Sequence, residues 1–184
     1  MEVQTPHRKV LRYTLRIVIG LAVAYTLLCV ALYFLQPRLI YFPQKSFAGF
    51  PPDQGLPFRD VTFPSGNNTI HGWFIPNNSG SRLVLFSHGN GGNISHRLHS
   101  LRVWFDLGFS VLIYDYAGYG KSTGKPTEAG TYRDLSAAWE YAQTVLGFKP
   151  AQILLFGRSL GGAVTAHLAQ RVKPLGIVLE STFT

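Results

Sequence analysis

An α/β fold, a mostly parallel sheet with helices on both faces, preceded by one N-terminal membrane-spanning helix, is what this sequence predicts. Three observations carry that prediction. Residues 17–35 form 19 consecutive positions without a charge. From residue 83 onward, short apolar runs alternate with segments of helical spacing, the pattern of a parallel sheet covered on both sides. One run-to-helix junction holds Gly157-Arg158-Ser159-Leu160-Gly161, a G-x-S-x-G.

The totals agree. Apolar residues make up 46 % of the 184 positions and charged residues 14 %, which suits a buried sheet and excludes a disordered chain. The net charge is +8, of which residues 1–16 hold four of the seventeen basic side chains. No Lys/Arg run is interleaved with aromatics, so nucleic acid is not an expected partner. The single cysteine, Cys29, excludes an internal disulfide framework and a Cys-based zinc site.

In chain order, residues 1–16 read as a basic tail, 17–35 as a transmembrane helix, 36–57 as a linker and 58–184 as a partial catalytic-type domain. Nineteen uncharged residues suffice to cross a hydrocarbon core of about 30 Å. Arg8, Lys9, Arg12 and Arg16 outweigh Arg38 and Lys45 on the other flank, which predicts a cytoplasmic N-terminus and an extracytoplasmic domain. Tyr33, Phe34, Tyr41 and Phe42 suit an aromatic belt at the outer interface. A cleaved signal peptide fits less well, because the apolar core is long and no Ala-x-Ala follows it.

The linker, rich in Pro, Gly and aromatics, is expected to pack over the domain. Phe58–Phe63 and Ile70–Ile75, split by the turn signal Ser65-Gly66-Asn67-Asn68, predict an antiparallel hairpin at a sheet edge. Strands are expected at Leu83–Ser87, Val111–Tyr114, Ile153–Phe156 and Ile177–Leu179, and helices at Ile94–Leu107, Thr131–Leu146 and Leu160–Ala169.

The chemistry centres on Ser159. In a nucleophile elbow the serine sits on a sharp strand-to-helix turn, with glycines, here Gly157 and Gly161, where the backbone crowds. The alternative is an ordinary turn whose serine only caps the helix. Acyl transfer also needs oxyanion donors, a base and an acid to orient it. The Leu160 N–H, just after the nucleophile, is one candidate donor, and the Asn90 N–H in His88-Gly-Asn-Gly-Gly92 is the other.

Four motifs in this order, Ser87-His-Gly-Asn-Gly-Gly-Asn93, Tyr114-Asp-Tyr-Ala-Gly-Tyr-Gly-Lys-Ser122, Gly157-Arg-Ser-Leu-Gly-Gly162 and Leu179-Glu-Ser-Thr-Phe-Thr184, resemble the α/β-hydrolase superfamily. More narrowly, together with Leu39-Ile-Tyr-Phe-Pro43, they look like its membrane-anchored bud-emergence (Bem-type) branch of α/β-hydrolase domain-containing proteins. The resemblance implies the α/β-hydrolase fold, Ser159 as nucleophile, Asn90 and Leu160 as oxyanion donors, a carboxylic ester or thioester substrate, and neither cofactor nor metal. Ala117 departs from it, since relatives often carry Arg or Pro there. In this fold the triad runs Ser, Asp/Glu, His in chain order. His7, His71, His88, His96, His99 and His167 all lie too early or are misplaced, so the chain reads as C-terminally truncated. Glu180 follows the last strand and is expected to shape the loop beside the site, the alternative being a role as the triad acid. Two functions follow: a membrane-tethered serine hydrolase completed by sequence not shown, or a catalytically inactive fragment with a binding or partner role.

Other motifs carry less. Gly120-Lys121-Ser122 lacks the first glycine of a phosphate loop, because position 115 is Asp115. His96 and His99 read as solvated helix residues, and Asp115 as a residue that fixes its own loop. Asn67-Asn-Thr, Asn77-Asn-Ser and Asn93-Ile-Ser are glycosylation sequons on paper.

Overall fold

The computed structural model describes residues 6–78 and 80–182, and divides into two compact units, residues 1–40 and 41–184. Residues 1–5, Ser79 and the last two positions lie outside the description, as do the side chains of Pro6, His7, Arg8 and Lys9.

The first unit is one helix, α1 (Pro6–Ile40), with a mean hydropathy of 2.4 across its apolar window, long and apolar enough to cross a membrane. It runs past both ends of the uncharged stretch. Its last turn contains Pro37, so the linker begins about five residues later than position 36. Proline's fixed φ is compatible with helical backbone, but this late in the helix its missing N–H leaves the Tyr33 carbonyl without its i+4 donor.

The second unit is a six-stranded sheet in the order β1-β2-β4-β3-β5-β6. Its strands are β1 (Arg59–Ser65), β2 (Asn68–Ile75), β3 (Leu83–Ser87), β4 (Ser110–Tyr114), β5 (Ile153–Arg158) and β6 (Gly176–Glu180). The hairpin β1/β2 lies at one edge and joins β4 antiparallel, while β4, β3, β5 and β6 pair in parallel. Three helices cover the sheet: α2 (Leu98–Asp106), α3 (Glu128–Thr144) and α4 (Leu160–Ala169).

Period-two alternation sorts each central strand between two cores. Leu83, Leu85, Leu112, Tyr114, Ile153 and Leu155 face α3 and α4, packing with Leu135, Trp139, Val164 and Leu168. Val84, Phe86, Val111, Ile113 and Phe156 face the other way, packing with Ile94 and Leu101. Both faces of β3 and β4 are therefore buried, which is why these strands read as continuous apolar runs.

Helix starts differ from the spacing-based expectation for local reasons. Residues 94–97 form a 3-10 turn, with Asn93 accepting from the Ser95 N–H, and α2 proper begins at Leu98. Helix α3 begins three residues early, at Glu128, because Thr127 caps it by accepting from the Gly130 N–H at 3.0 Å. Strand β6 ends the sheet and leaves Ile177, Val178 and Leu179 exposed, among the described residues.

The linker does pack. Tyr41 is buried in the core, and residues 42–48 run as a strap along the loop that follows β3. Pro43 bridges Gly92, Gln44 N–H donates to Gly92 O at 3.2 Å, and Gly92 N–H donates to Phe42 O at 3.3 Å.

Candidate active site

Ser159 lies at the junction of β5 and α4 with φ 53° and ψ −118°, a left-sided conformation that a non-glycine residue adopts only under constraint. Its side chain makes no capping bond to the helix that it precedes. Its backbone is tied on both sides: Ser159 N–H donates to Glu180 O at 2.9 Å, and Ser159 O accepts from Gly162 N–H at 2.9 Å. Ser159 O also accepts from the Thr182 hydroxyl at 3.0 Å. The turn is thus held by the last residue of β6 and the chain just beyond it.

Glycines make the turn possible by close approach. A Cβ on Gly161 would run into the Ser87 carbonyl of β3, and one on Gly157 would meet Gly161 O and lie 2.6 Å from Thr165 Oγ1. Gly162 is equally constrained, since a Cβ there would collide with the Thr182 side chain. Its role went unassigned in the sequence because only the fold brings Thr182 beside α4.

The loop after β3 stands against the serine. A Cβ built on Gly89 would lie 3.5 Å from Ser159 Cβ, so the Gly89–Asn90 segment borders the Ser159 side chain. Leu160 is the first residue of α4, so its N–H has no intrahelical acceptor and points out of the helix N-terminus. The structure therefore brings Ser159, Gly157, Gly161, Leu160 and the Asn90 loop together.

Three tyrosines secure that loop. Tyr114 OH pairs with Ser87 Oγ at 2.8 Å, Tyr116 OH donates to His88 O at 2.9 Å, and Tyr119 OH donates to Asn90 Oδ1 at 2.8 Å. Burial raises all three phenols well above their ordinary value, so each stays neutral and keeps its O–H. Asn90 Oδ1 also accepts from the Phe42 N–H at 3.2 Å. Asn93 Nδ2 donates to Gln44 O and Ser46 O at 3.0 and 2.7 Å, fastening the strap to the same loop.

The Asp115 carboxylate acts on this loop, whereas its own loop is tied through the Asp115 backbone carbonyl. Its Oδ1 accepts the Ile94 N–H at 3.0 Å and lies 3.6 Å from His88 Nε2. The glycine it needs nearby is Gly120, at φ 44°, where a Cβ would collide with its carboxylate. Ser122, the serine of the phosphate-loop-like triplet, is buried, accepting the His71 N–H and donating to Asp115 O. That triplet is scaffold.

Among the described residues, no histidine or carboxylate hydrogen-bonds the Ser159 hydroxyl. His167 stacks flat on Tyr132, ring centroids 3.8 Å apart, and His96 and His99 are exposed. His71 pairs with Asp60 at 2.7 Å. Glu180 commits both oxygens to the Arg158 guanidinium at 2.9 Å, bracing the turn at Ser159. No three His, Cys, Asp or Glu side chains converge as a metal site among the described residues.

Burial of the His88 imidazole pushes its pKa from 6.5 down to about 4, against the pull of Asp115. The unfolded chain then binds the extra proton between these values, so stability falls as pH drops from 6.5 to 4. The expected loss is about 3 kcal/mol, read as a lower urea midpoint at pH 4 than at pH 7. His88→Gln, which does not titrate, should flatten that part of the pH dependence.

Comparison with known proteins gives a consistent picture. The profile of a family described as serine aminopeptidase, S33 (Hydrolase_4) matches residues 79–184. The chain is 35 % identical over 177 residues to the alpha/beta hydrolase domain-containing protein WAV2 of Arabidopsis thaliana, covering 90 % of this chain and 56 % of that one. It is 32 % identical over 172 residues to a Saccharomyces cerevisiae protein described as an uncharacterized membrane protein, covering 89 % of this chain and 61 % of that one. The esterase Pf2001 of Pyrococcus furiosus superposes with a TM-score of 0.67 at 26 % identity, over 77 % of this chain and 58 % of the esterase. The chain spans about half the length of the curated relatives it matches.

Proposed function

This chain belongs to the serine aminopeptidase S33 (Hydrolase_4) family and has the α/β-hydrolase fold, and from that premise we propose that it is the nucleophile-bearing part of a membrane-tethered serine hydrolase. Ser159 attacks a carbonyl carbon, and the N–H groups of Leu160 and Asn90 receive the oxyanion. The substrates are carboxylic esters or thioesters, a choice supported by the likeness to a solved esterase. The general base and its orienting acid are assigned to the part of the full-length relatives that this chain does not span. The observation that carries the proposal is the φ of 53° at Ser159, held with no capping bond and with Gly89 against the side chain. A strained serine that does not cap its helix is arranged for something outside the helix.

The test is fluorophosphonate labelling of the full-length protein, followed by peptide mapping. Adduct on Ser159 is the expected result; adduct elsewhere, or labelling that survives Ser159→Ala, overturns the assignment.

Membrane attachment through α1 is supported by the helix's length and apolarity and by the yeast relative; the proposed orientation, with the N-terminus in the cytoplasm and the hydrolase domain on the far side, rests on the heavier basic flank before the helix alone. Placement in the membrane-anchored Bem-type branch rests on the four sequence motifs together with Leu39-Ile-Tyr-Phe-Pro43. The bilayer and an acyl substrate are the proposed partners. Orientation has its own test in a eukaryotic secretory membrane. Asn77 and Asn93 are buried, with their Nδ2 groups donating to Phe105 O and to the strap, whereas Asn67 is exposed in the β1/β2 turn. A glycosidase-sensitive mass increment lost in Asn67→Gln is expected. A domain that never acquires glycan in such a membrane contradicts the orientation.

A further inference from the structure

We propose that His88 is the positioning residue of the oxyanion hole: its Nδ1–H clamps the Gly89 carbonyl and thereby aims the Asn90 N–H at the oxygen of the reacting carbonyl. This rests on the serine-hydrolase function proposed above.

The Gly89 carbonyl and the Asn90 N–H are opposite ends of one planar trans peptide unit. Whatever holds the carbonyl also sets the direction of the N–H. The His88 Nδ1 lies 2.7 Å from Gly89 O. A carbonyl oxygen only accepts, so Nδ1 carries the proton and Nε2 is left with a bare lone pair. Gly89 has no side chain to resist rotation of that unit, so the clamp supplies a restraint that the backbone lacks.

The ring itself has no freedom to turn. It is fully buried, with the Tyr116 and Tyr119 rings 4.6 and 5.5 Å from it, centroid to centroid. Its Nε2 has no hydrogen-bond partner among the described residues and faces Asp115 Oδ1 at 3.6 Å. Burial keeps the imidazole neutral at pH 7, with one proton to place. The other end of the same loop residue is fixed separately, because Asn90 Oδ1 accepts from Tyr119 OH and the Phe42 N–H. Together, clamp and anchor define the peptide plane from both sides. His88 touches neither nucleophile nor substrate; it acts through the peptide.

The chemistry of the two ring nitrogens supplies the test. Asparagine places an amide nitrogen near the position of Nδ1, whereas glutamine places one near Nε2. In the full-length protein, His88→Gln is expected to lower kcat on a short p-nitrophenyl ester, and the rate of fluorophosphonate labelling, by roughly 30-fold or more, with KM changed less than about threefold. His88→Asn is expected to recover both rates to within about fivefold of the parent, although both variants lose ring packing. Equal losses in the two variants, or no loss in His88→Gln, overturn the proposal. Should neither variant fold, the ring nitrogen shifts of the parent at pH 7 decide: a neutral Nδ1–H imidazole is expected, and an Nε2–H or doubly protonated ring overturns it. A parent that is not labelled at Ser159 overturns the hydrolase function and the role of His88 with it, whereas a labelled parent matched by His88→Gln overturns the role of His88 alone.

Discussion

Ser159→Gly is expected to stabilise the folded domain by about 1 kcal/mol while eliminating the hydrolase activity proposed for the full-length protein. The two effects have one cause. At φ 53° the serine side chain crowds its own backbone, and a non-glycine residue in such a region costs about 1–3 kcal/mol. Glycine relieves that strain, at the expense of about 0.5–1 kcal/mol from its greater freedom in the unfolded chain. Ser159→Ala keeps the strain and should leave stability within about 0.5 kcal/mol. A capping serine behaves differently, because its replacement by alanine loses about 1 kcal/mol and by glycine only a few tenths. Urea unfolding of the three proteins in detergent therefore separates elbow from cap without any knowledge of the substrate. In the full-length protein both substitutions should lower kcat/KM on an acyl ester by roughly 10⁴-fold or more, the scale on which removal of a nucleophile is felt.

Gly161→Ala should be the most damaging small substitution in the domain. The added methyl would enter the Ser87 carbonyl, lying 2.5 Å from its carbon and 2.7 Å from His88 O, all of it buried backbone. No rotamer change can make room, because the obstacle is β3 itself, hydrogen-bonded on both sides to β4 and β5. Relief requires moving α4 off the sheet, which also withdraws Ser159 from the Gly89–Asn90 loop. A loss of about 3 kcal/mol or more is expected in the unfolding free energy, beyond ordinary overpacking. A variant that melts within a few degrees of the parent would show that α4 does not lie against β3 as closely as the structure has it. Gly91→Ala is the internal control, as no atom lies within 4 Å of the Cβ it would add.

The contrast between these glycines shows where the sequence was informative. Gly157-Arg-Ser-Leu-Gly161 is a local pattern: the strand, the turn and the helix that make it legible are contiguous, so its geometry follows from a few neighbouring residues. The same holds for the strands. Val84 and Phe86 on one face, and Leu83 and Leu85 on the other, are a period-two arrangement that burial on both sides converts into an unbroken apolar run. The uncharged stretch 17–35 belongs here too, although the helix built on it extends to Ile40 because backbone hydrogen bonding does not stop where apolarity does.

What holds the Gly89–Asn90 loop was not legible, and the reason is sequence separation. Phe42 meets Asn90 across 48 positions, Tyr119 meets Asn90 across 29 and Tyr116 meets His88 across 28. Nothing in the composition of Tyr114-Asp-Tyr-Ala-Gly-Tyr119 states which loop its hydroxyls will reach. That is decided when β4 pairs in parallel with β3, setting Ser87 beside Tyr114. Asp115 likewise looked like the anchor of its own turn, and became the acceptor for Ile94 only because the two loops emerge from adjacent strands at the same end of the sheet. Thr127 was missed as a cap because Gly130 weakens the helical pattern that follows it. By itself, then, the sequence determined the alternation of strands and helices, the elbow and the apolar N-terminal helix, since each depends on residues within a turn or two of one another. Only the tertiary structure decided which hydroxyls, amides and imidazole hold the Asn90 peptide in place, since hydrogen bonds between distant segments exist only once the sheet has set their register.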